Sequence, residues 1–322
     1  MKLHKGKLTL TELQRLVLSY IPSVETPRID FSVAQTPSGF LISASDPVIG
    51  VPLNHYGFFS VHYSAGDVSL SGIRPQYLIL GIYYPPSLDS AWLENNMDIL
   101  GKEAKKYDIK ILGGHTGAYN GLQTPIFSTT AFAFTSEKRN ILNPQNLKSG
   151  DSLIIVGPVT REIAWAVANF KPDIFSEYCE TNVDEIASDL LYLTVLDCAI
   201  KAAENGVIAM HDLAEGGLIT ALHELSNASN LGIELNSELI PWDNYGYTLV
   251  KALDGDVFSA SSFGSILIGI RDELAEDIVK KFKSIRPCAI AGHFTSKKNV
   301  ILKKNGKELK IKKKEDIYSK LL

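Results

Sequence analysis

Apolar and polar positions run along this chain in two rhythms, one of period two and one near 3.6, and the switches between them predict strands and helices in turn. Helical spacing over Leu10 to Tyr20, stopped by Pro22, predicts a first helix. Phe31 to Gln35 and Phe40 to Ser45 read as strands about the turn Thr36-Pro37-Ser38-Gly39, with Asp46-Pro47 closing the second. Next come a helix over Gly57 to Leu70, a strand over Tyr77 to Tyr83 stopped by Pro85-Pro86, and a helix over Asp89 to Tyr107. Residues 109–112 predict a short buried strand ending in Gly113-Gly114-His115-Thr116, and Ile126 to Thr135 a long one.

The stretch NILNPQNLKSGD (140–151) is polar and carries Asn, Pro, Lys and Gly between two runs of regular structure, which places a domain boundary there. The expected domains are 1–145 and 146–322. The second restarts on a strand, Ser152 to Val156, then a helix over Arg161 to Asn169 and a longer one over Asp184 to Glu204. Val207 to Met210 predicts a short strand. Leu218, Ala221, Leu222, Leu225 and Ala228 then repeat at helical spacing from a start near Gly216 or Gly217. Gly264 to Ile270, Asp272 to Phe282 and Cys288 to Phe294 read as strand, helix, strand. The alternation implies an α/β or α+β architecture, and no short-period repeat interrupts it.

Composition narrows the class. With 322 residues, 45% hydrophobic and 21% charged, the chain can bury large cores and suits two domains. A net charge of −4 gives no overall drive toward nucleic acid or an acidic membrane, so phosphates require a dedicated site. Cys179, Cys198 and Cys288 lack the spacing of a disulfide framework or a zinc site and read as packed thiols. MKLHKGKLTL is too short an apolar run for a signal peptide and no stretch approaches 18 apolar residues, so a cytoplasmic protein is expected. The lysine-rich KKNGKELKIKKK (303–314) reads as a hairpin on an Asn-Gly turn with a solvated edge, and the aromatic run His55 to Tyr63 as core or dimer packing.

Chemistry concentrates in MHDLAEGGL (210–218): a histidine and two carboxylates, then a glycine pair opening a helix. Asp212 and Glu215 are three apart and share a face if the turn is already helical. The first N–H groups of a helix lack intrahelical partners and carry partial positive charge, and glycines let an anion approach them. Asp46, Asp67 and Asp30 flank apolar segments of the first half. If these acids meet, each pair at about 4 Å repels by roughly 4 kcal/mol at an effective dielectric near 20, so the cluster requires a cation, and Mg²⁺ suits carboxylates combined with phosphates.

GKL (6–8), Asp46-Pro47, AGDVSLSGIRP (65–75), GGHT (113–116), LKSGDSLIIVG (147–157) and MHDLAEGGLITALHEL (210–225), in this order, resemble the aminoimidazole-ribonucleotide (AIR) synthetase superfamily, over nearly the whole chain. The similarity is greatest to the branch of the hydrogenase-maturation protein HypE and its archaeal-type relatives. The resemblance implies a two-domain fold: an N-terminal α/β domain forming a β-barrel across a homodimer, and a C-terminal α/β sandwich. It implies ATP as substrate with Mg²⁺, and activation of an amide, thioamide or phosphate oxygen on a small or carrier-bound second substrate. Carried over by position, Asp30, Asp46, Asp67, Asp212 and Glu215 are the expected metal ligands. Asp30, Asp46, Asp67, Gly113, Gly114, Thr116, Gly216 and Gly217 are expected at the nucleotide, and His115 and His211 are the catalytic candidates.

The chain also departs from the pattern. Where the family has a glycine-rich run before its first acid, this chain has SVETPRIDFSV (23–33), and His115 stands where the thiamine-phosphate kinases have Asp. HypE ends in a cysteine-bearing tail, whereas this sequence ends IYSKLL, so the HypE reaction in its usual form is not expected. The alternative expectation is a non-catalytic dimeric relative that binds nucleotide or a partner protein without turnover.

Overall fold

A computed structural model describes residues 8, 10–21, 29–309 and 314–321. Gly6 and Lys7 of the GKL motif, residues 23–28 of the glycine-poor segment, and Lys310, Lys312 and Lys313 lie outside them. A short helix α1 (Leu10–Leu16) comes first. The first sheet contains β1 (Ser32–Thr36), β2 (Gly39–Val48), β3 (Tyr77–Tyr84), β4 (Lys110–Ala118) and β5 (Ile126–Thr135), in the order β1-β2-β5-β3-β4. All pairs are antiparallel except β3 with β4, which are joined through α3 (Ser90–Lys106) after α2 (Tyr56–Ser69). Along β3 and β5 buried residues alternate with more exposed ones, so one face carries the core and the other, with Ile79 and Phe134, faces outward.

Two expectations fail here for identifiable reasons. The second strand does not close at Asp46-Pro47 but runs to Val48. Beyond Ser43 it pairs with β5 alone, and a proline is tolerated where one side of a strand has no ladder to feed. Nor is β4 short and buried. It continues through Gly113-Gly114-His115-Thr116 to Ala118 and is exposed along almost its whole length, as an edge strand of the sheet. Among the described residues the sheet is open, with β1 and β4 as its edges.

Helix α2 is apolar nearly all round because it has cover on both sides. One side packs on β2 and β5, and the other meets the second half of the chain, where Phe59 lies 5.4 Å from the Trp165 ring and Tyr63 stands edge-on to Phe263. The aromatic run is therefore core, and one continuous apolar cluster ties the two halves together.

The second sheet comprises β6 (Ser152–Val156), β7 (Ala209–Asp212), β8 (Gly232–Asn236), β9 (Ile266–Ile270), β10 (Cys288–Thr295), β11 (Val300–Lys304) and β12 (Lys307–Glu308), ordered β12-β11-β8-β10-β6-β9-β7. Its helices are α4 (Arg161–Phe170), α5 (Pro172–Tyr178), α6 (Val183–Ser188), α7 (Leu196–Ala203), α8 (Gly217–Ser229), α9 (Asn244–Ala252) and α10 (Asp272–Lys283). Leu153, Ile155 and Leu267 face Leu218, Leu222 and Leu225 of α8, while Ile154, Val156 and Ile268 face Ala199 and Ala202 of α7 and Ile278 and Phe282 of α10. Both faces are covered, so β6 and β9 are buried at every position and read as unbroken apolar runs. Asn305 and Gly306 both adopt positive φ in the β11–β12 turn, as the Asn-Gly signal implies.

The single helix expected over Asp184 to Glu204 is two helices, α6 and α7. Tertiary contacts hold the segment between them in a non-helical path. Asp189 pairs with Arg161, the Arg286 guanidinium donates to Leu191 O at 2.6 Å, and Gly264 passes so close that a Cβ there would lie 1.8 Å from Tyr192 O. The three cysteines are buried thiols, and among the described residues no helix is long and apolar enough to cross a membrane.

Candidate functional site

Strand β7 begins two residues later than its apolar pattern suggests, so His211 and Asp212 belong to the strand and are buried within it. Asp30, just before β1, reaches across from the first half. His211 Nδ1 lies 2.8 Å from Asp30 Oδ1 and 3.0 Å from Oδ2, its Nε2 lies 3.0 Å from Glu224 Oε2 of α8, and Asp212 Oδ1 is 3.8 Å from Nδ1. Two ring nitrogens facing carboxylates must both donate, which fixes an imidazolium. Burial alone would lower the His211 pKa, but Asp30, Glu224 and Asp212 outweigh it and push it up to about 10. Asp30, His211 and Asp212 present ligand atoms within 4.8 Å of one another. The imidazolium itself is the local cation.

Beyond Asp212 the turn is not helical, so Asp212 and Glu215 do not share a helical face: the first is buried in β7, the second exposed in the loop. Gly216 (φ +84°) and Gly217 (φ +61°) are left-handed, and a Cβ on Gly217 would meet Ala260 O at 2.3 Å. This tight approach brings the Ala260-Ser261 backbone against the opening of α8. Both sides of that opening donate to one carboxylate, Asp316: Gly216 N to Oδ2 at 3.1 Å and Ser261 N to Oδ1 at 3.0 Å.

Glu162, in the first turn of α4, completes the constellation. Its Oε2 accepts from Ser261 Oγ and from Phe263 N at 2.7 Å. Burial pushes its pKa up to about 7, against these two donors, with the charges of Asp316 and Asp212 adding to the rise. Asp316 is likewise raised by burial, despite its backbone donors, and Glu215 adds to the effect. Tyr63 is pushed well above the usual phenol range by burial, with smaller contributions from the charges of Tyr318, Glu162, Asp46 and Tyr56.

The structure therefore brings Asp30, Asp212 and His211 together at one imidazole, and Gly216 onto Asp316, with Asp212 acting on Glu162 and Glu215 on Asp316 through their charges. Asp46 of β2 acts by its charge on Tyr63. Asp67 lies half-buried on α2. Gly113, Gly114, His115 and Thr116 lie apart in sheet order, on the bare edge strand β4, three positions from β2. His115 Nε2 is 2.6 Å from Tyr119 Oη, and its ring stacks on Tyr83. Gly114 has a packing reason of its own, since a Cβ there would fall 1.7 Å from Leu80 O. The sequence did not single out Glu162, Glu224 or Asp316. Acids in a first helical turn, on a helix and after a lysine run all read as ordinary solvated positions.

Comparison with known proteins matches this architecture. The family described as AIR synthase related protein matches through its N-terminal domain over residues 35–135 and its C-terminal domain over residues 148–305. A putative hydrogenase expression/formation protein of Methanocaldococcus jannaschii is 24% identical over 255 residues, covering 78% of this chain and 74% of that protein. The carbamoyl dehydratase HypE of Escherichia coli is 24% identical over 261 residues, covering 80% and 75%. A crystal structure of HypE in complex with ATP superposes with a TM-score of 0.70 at 18% identity, covering 97% of this chain and 96% of that one. Motif order, two-domain fold and family match agree: the chain belongs to the AIR synthase related family.

Proposed function

We propose that this chain is a homodimeric, Mg²⁺-dependent enzyme that uses ATP to activate an amide, thioamide or phosphate oxygen on a small or carrier-bound substrate. The observation that carries this reading is that Asp30 of the first half meets His211 and Asp212 of the second, just before the positive-φ Gly216 and Gly217 that open α8. A carbamoyl dehydratase and an ATP-bound HypE among the similar proteins support the same chemistry. In this reading residues 1–145 are the ATP-binding and dimerisation domain, 146–322 the domain that closes over the nucleotide, and the protein works in the cytoplasm.

Among the described residues Asp30 and Asp212 come together about His211, and carboxylate oxygens are what the hard cation Mg²⁺ takes. Asp46, Asp67, Asp212 and Glu215 would hold it; it would neutralise charge on the transferring phosphoryl oxygens. Both nitrogens of His211 face carboxylates, so its role is positioning: it fixes Asp30 and keeps Asp212 in place. Phosphate oxygens would take Gly216 N–H, which Asp316 accepts in this structure, while Gly217, whose N–H is bonded to Ala214 O, lets the backbone come close. Glu162, with its pKa near neutrality, has the proton affinity needed to take a proton from the activated group. A second copy pairs along β4 and closes a barrel across the dimer, and Gly113, Gly114, His115 and Thr116 then join the nucleotide seat.

The test is unfolding temperature with ATP, with and without Mg²⁺, on the wild type and on Asp67→Ala and Asp212→Ala. A ligand at 100 times its dissociation constant stabilises by about 2.7 kcal/mol. Absence of any shift at millimolar nucleotide would remove the enzyme reading; a shift surviving both substitutions would remove the site. One observation favours the second reading, a dimeric relative that binds nucleotide or a partner without turnover: a carboxylate of the chain itself already sits at the α8 opening. Release of ADP from Mg·ATP separates the two.

A further inference from the structure

The carboxylate at the opening of α8 belongs to the last described segment, residues 314–321, which reaches back across both halves of the molecule. Asp316 caps a 3-10 turn over Ile317–Lys320 while its two oxygens take Gly216 N–H and Ser261 N–H, one from each side of the opening. Ile317 and Leu321 are buried in the cluster that joins the halves. Tyr318 Oη donates to Gly50 O at 3.1 Å, just past β2, and Lys314 N donates to Ser259 Oγ at 3.2 Å. The segment is thus fastened to the first half at Gly50 and to the second at Ser259, Ser261 and Gly216.

Capping its own 3-10 turn through Tyr318 N–H is one role for Asp316, but it does not require the acid to be buried beside other carboxyls. The immediate neighbours of Asp316 include Glu162 and Glu215, both carboxylic, and burial disfavours its charge. What offsets this, besides Tyr318 N–H of its own turn, is Gly216 N–H at the start of α8 and Ser261 N–H from the facing loop, converging as donors to a phosphate do. A carboxylate bridging two such N–H groups uses the donors that a phosphate would need. The two anions are alternatives at one seat, and like charges beside Glu162 and Glu215 exclude their joint presence.

We propose that residues 314–321 form an autoinhibitory strap in which the Asp316 carboxylate occupies the phosphate seat at the opening of α8, so that nucleotide binds only when the strap has withdrawn. The inference rests on the nucleotide reading above. The apparent affinity is then the intrinsic one reduced by the fraction of molecules with the seat vacated.

Calorimetric titration with Mg·ATP, and separately with inorganic pyrophosphate, on the wild type, Asp316→Ala and a chain lacking Glu315 to Leu322 tests this. Both variants are expected to bind either probe about tenfold more tightly or better. Hydrogen exchange on the wild type supplies a readout free of folding effects: amides of 315–321 exchange faster when Mg·ATP saturates the protein. Binding by the wild type that Asp316→Ala leaves unchanged or weakens overturns the strap while leaving the nucleotide reading intact, as does greater protection of 315–321 with nucleotide. No binding by any of the three proteins overturns the nucleotide reading and the strap with it.

Discussion

Strands β4 and β7 look alike as text and differ in almost everything else. Each follows a helix, carries a short apolar run and leads into His and a Gly pair, and each lies at the end of its sheet. Yet β7 is buried at all its positions, whereas β4 is exposed at all but Gly117, with Leu112 at 59%. The cover for β7 lies within the chain: α8 packs alongside, and Asp30 and Glu224 close on His211. The cover for β4, on our reading, is a second copy. Apolar character states that a strand must be covered; it does not state by which molecule. The glycine pairs differ too, for Gly216 and Gly217 open a helix at positive φ, while Gly114 lets β3 and β4 approach.

The largest effect tests the buried edge. Replacing His211 with Ala removes the cation between Asp30 and Glu224, and losing one member of a buried ionic group typically costs ~3–5 kcal/mol, measurable by denaturant unfolding at pH 7. Because the folded pKa of His211, about 10, lies above its ordinary 6.5, its contribution is fully present below pH 6.5 and is lost as pH rises through about 10. Wild-type stability should therefore fall over that interval more steeply than that of His211→Ala. Equal slopes would mean that the imidazole is neutral.

A smaller effect tests the bare edge. Leu112→Glu puts a charge on β4 and should weaken self-association by about 100-fold, some 2.7 kcal/mol, read by analytical ultracentrifugation, with little change in the fold of the protomer. An unaltered dimer would show that the copies meet elsewhere. The smallest expected effect separates the two glycine pairs. Gly114→Ala forces apart β3 and β4 and should cost about 1–2 kcal/mol in unfolding and, since the proposed nucleotide seat includes Gly114, weaken nucleotide binding as well. Nucleotide affinity unchanged per folded protein would remove Gly114 from the nucleotide seat and leave it a packing role alone.

Much of the fold was legible because local pattern and tertiary demand agree. The run Ile126 to Thr135 is β5 residue for residue, Ser152 to Val156 is β6, and Asn305-Gly306 turns the last hairpin. It failed where a distant group decides. The path from Asp189 to Val195 is set by Arg161, Arg286 and Gly264, none of which a helical stripe announces. The candidate site divides in the same way. His211 and Asp212 stand out because His, acid and Gly-Gly together are an uncommon string, but Glu162, Glu224 and Asp316 are single acids in unremarkable contexts. Their meaning comes from burial beside a distant N–H or ring nitrogen, which spacing along the chain does not encode.

The His211 ring is bonded on both sides and shut away from water, and this bears on how the acids around it come to be gathered. Acids gathered to grip a dissolved ion would ordinarily push one another apart until the ion arrived. A proton taken up from solvent does that job here during folding, so the carboxylates around His211 stand together before any ligand arrives.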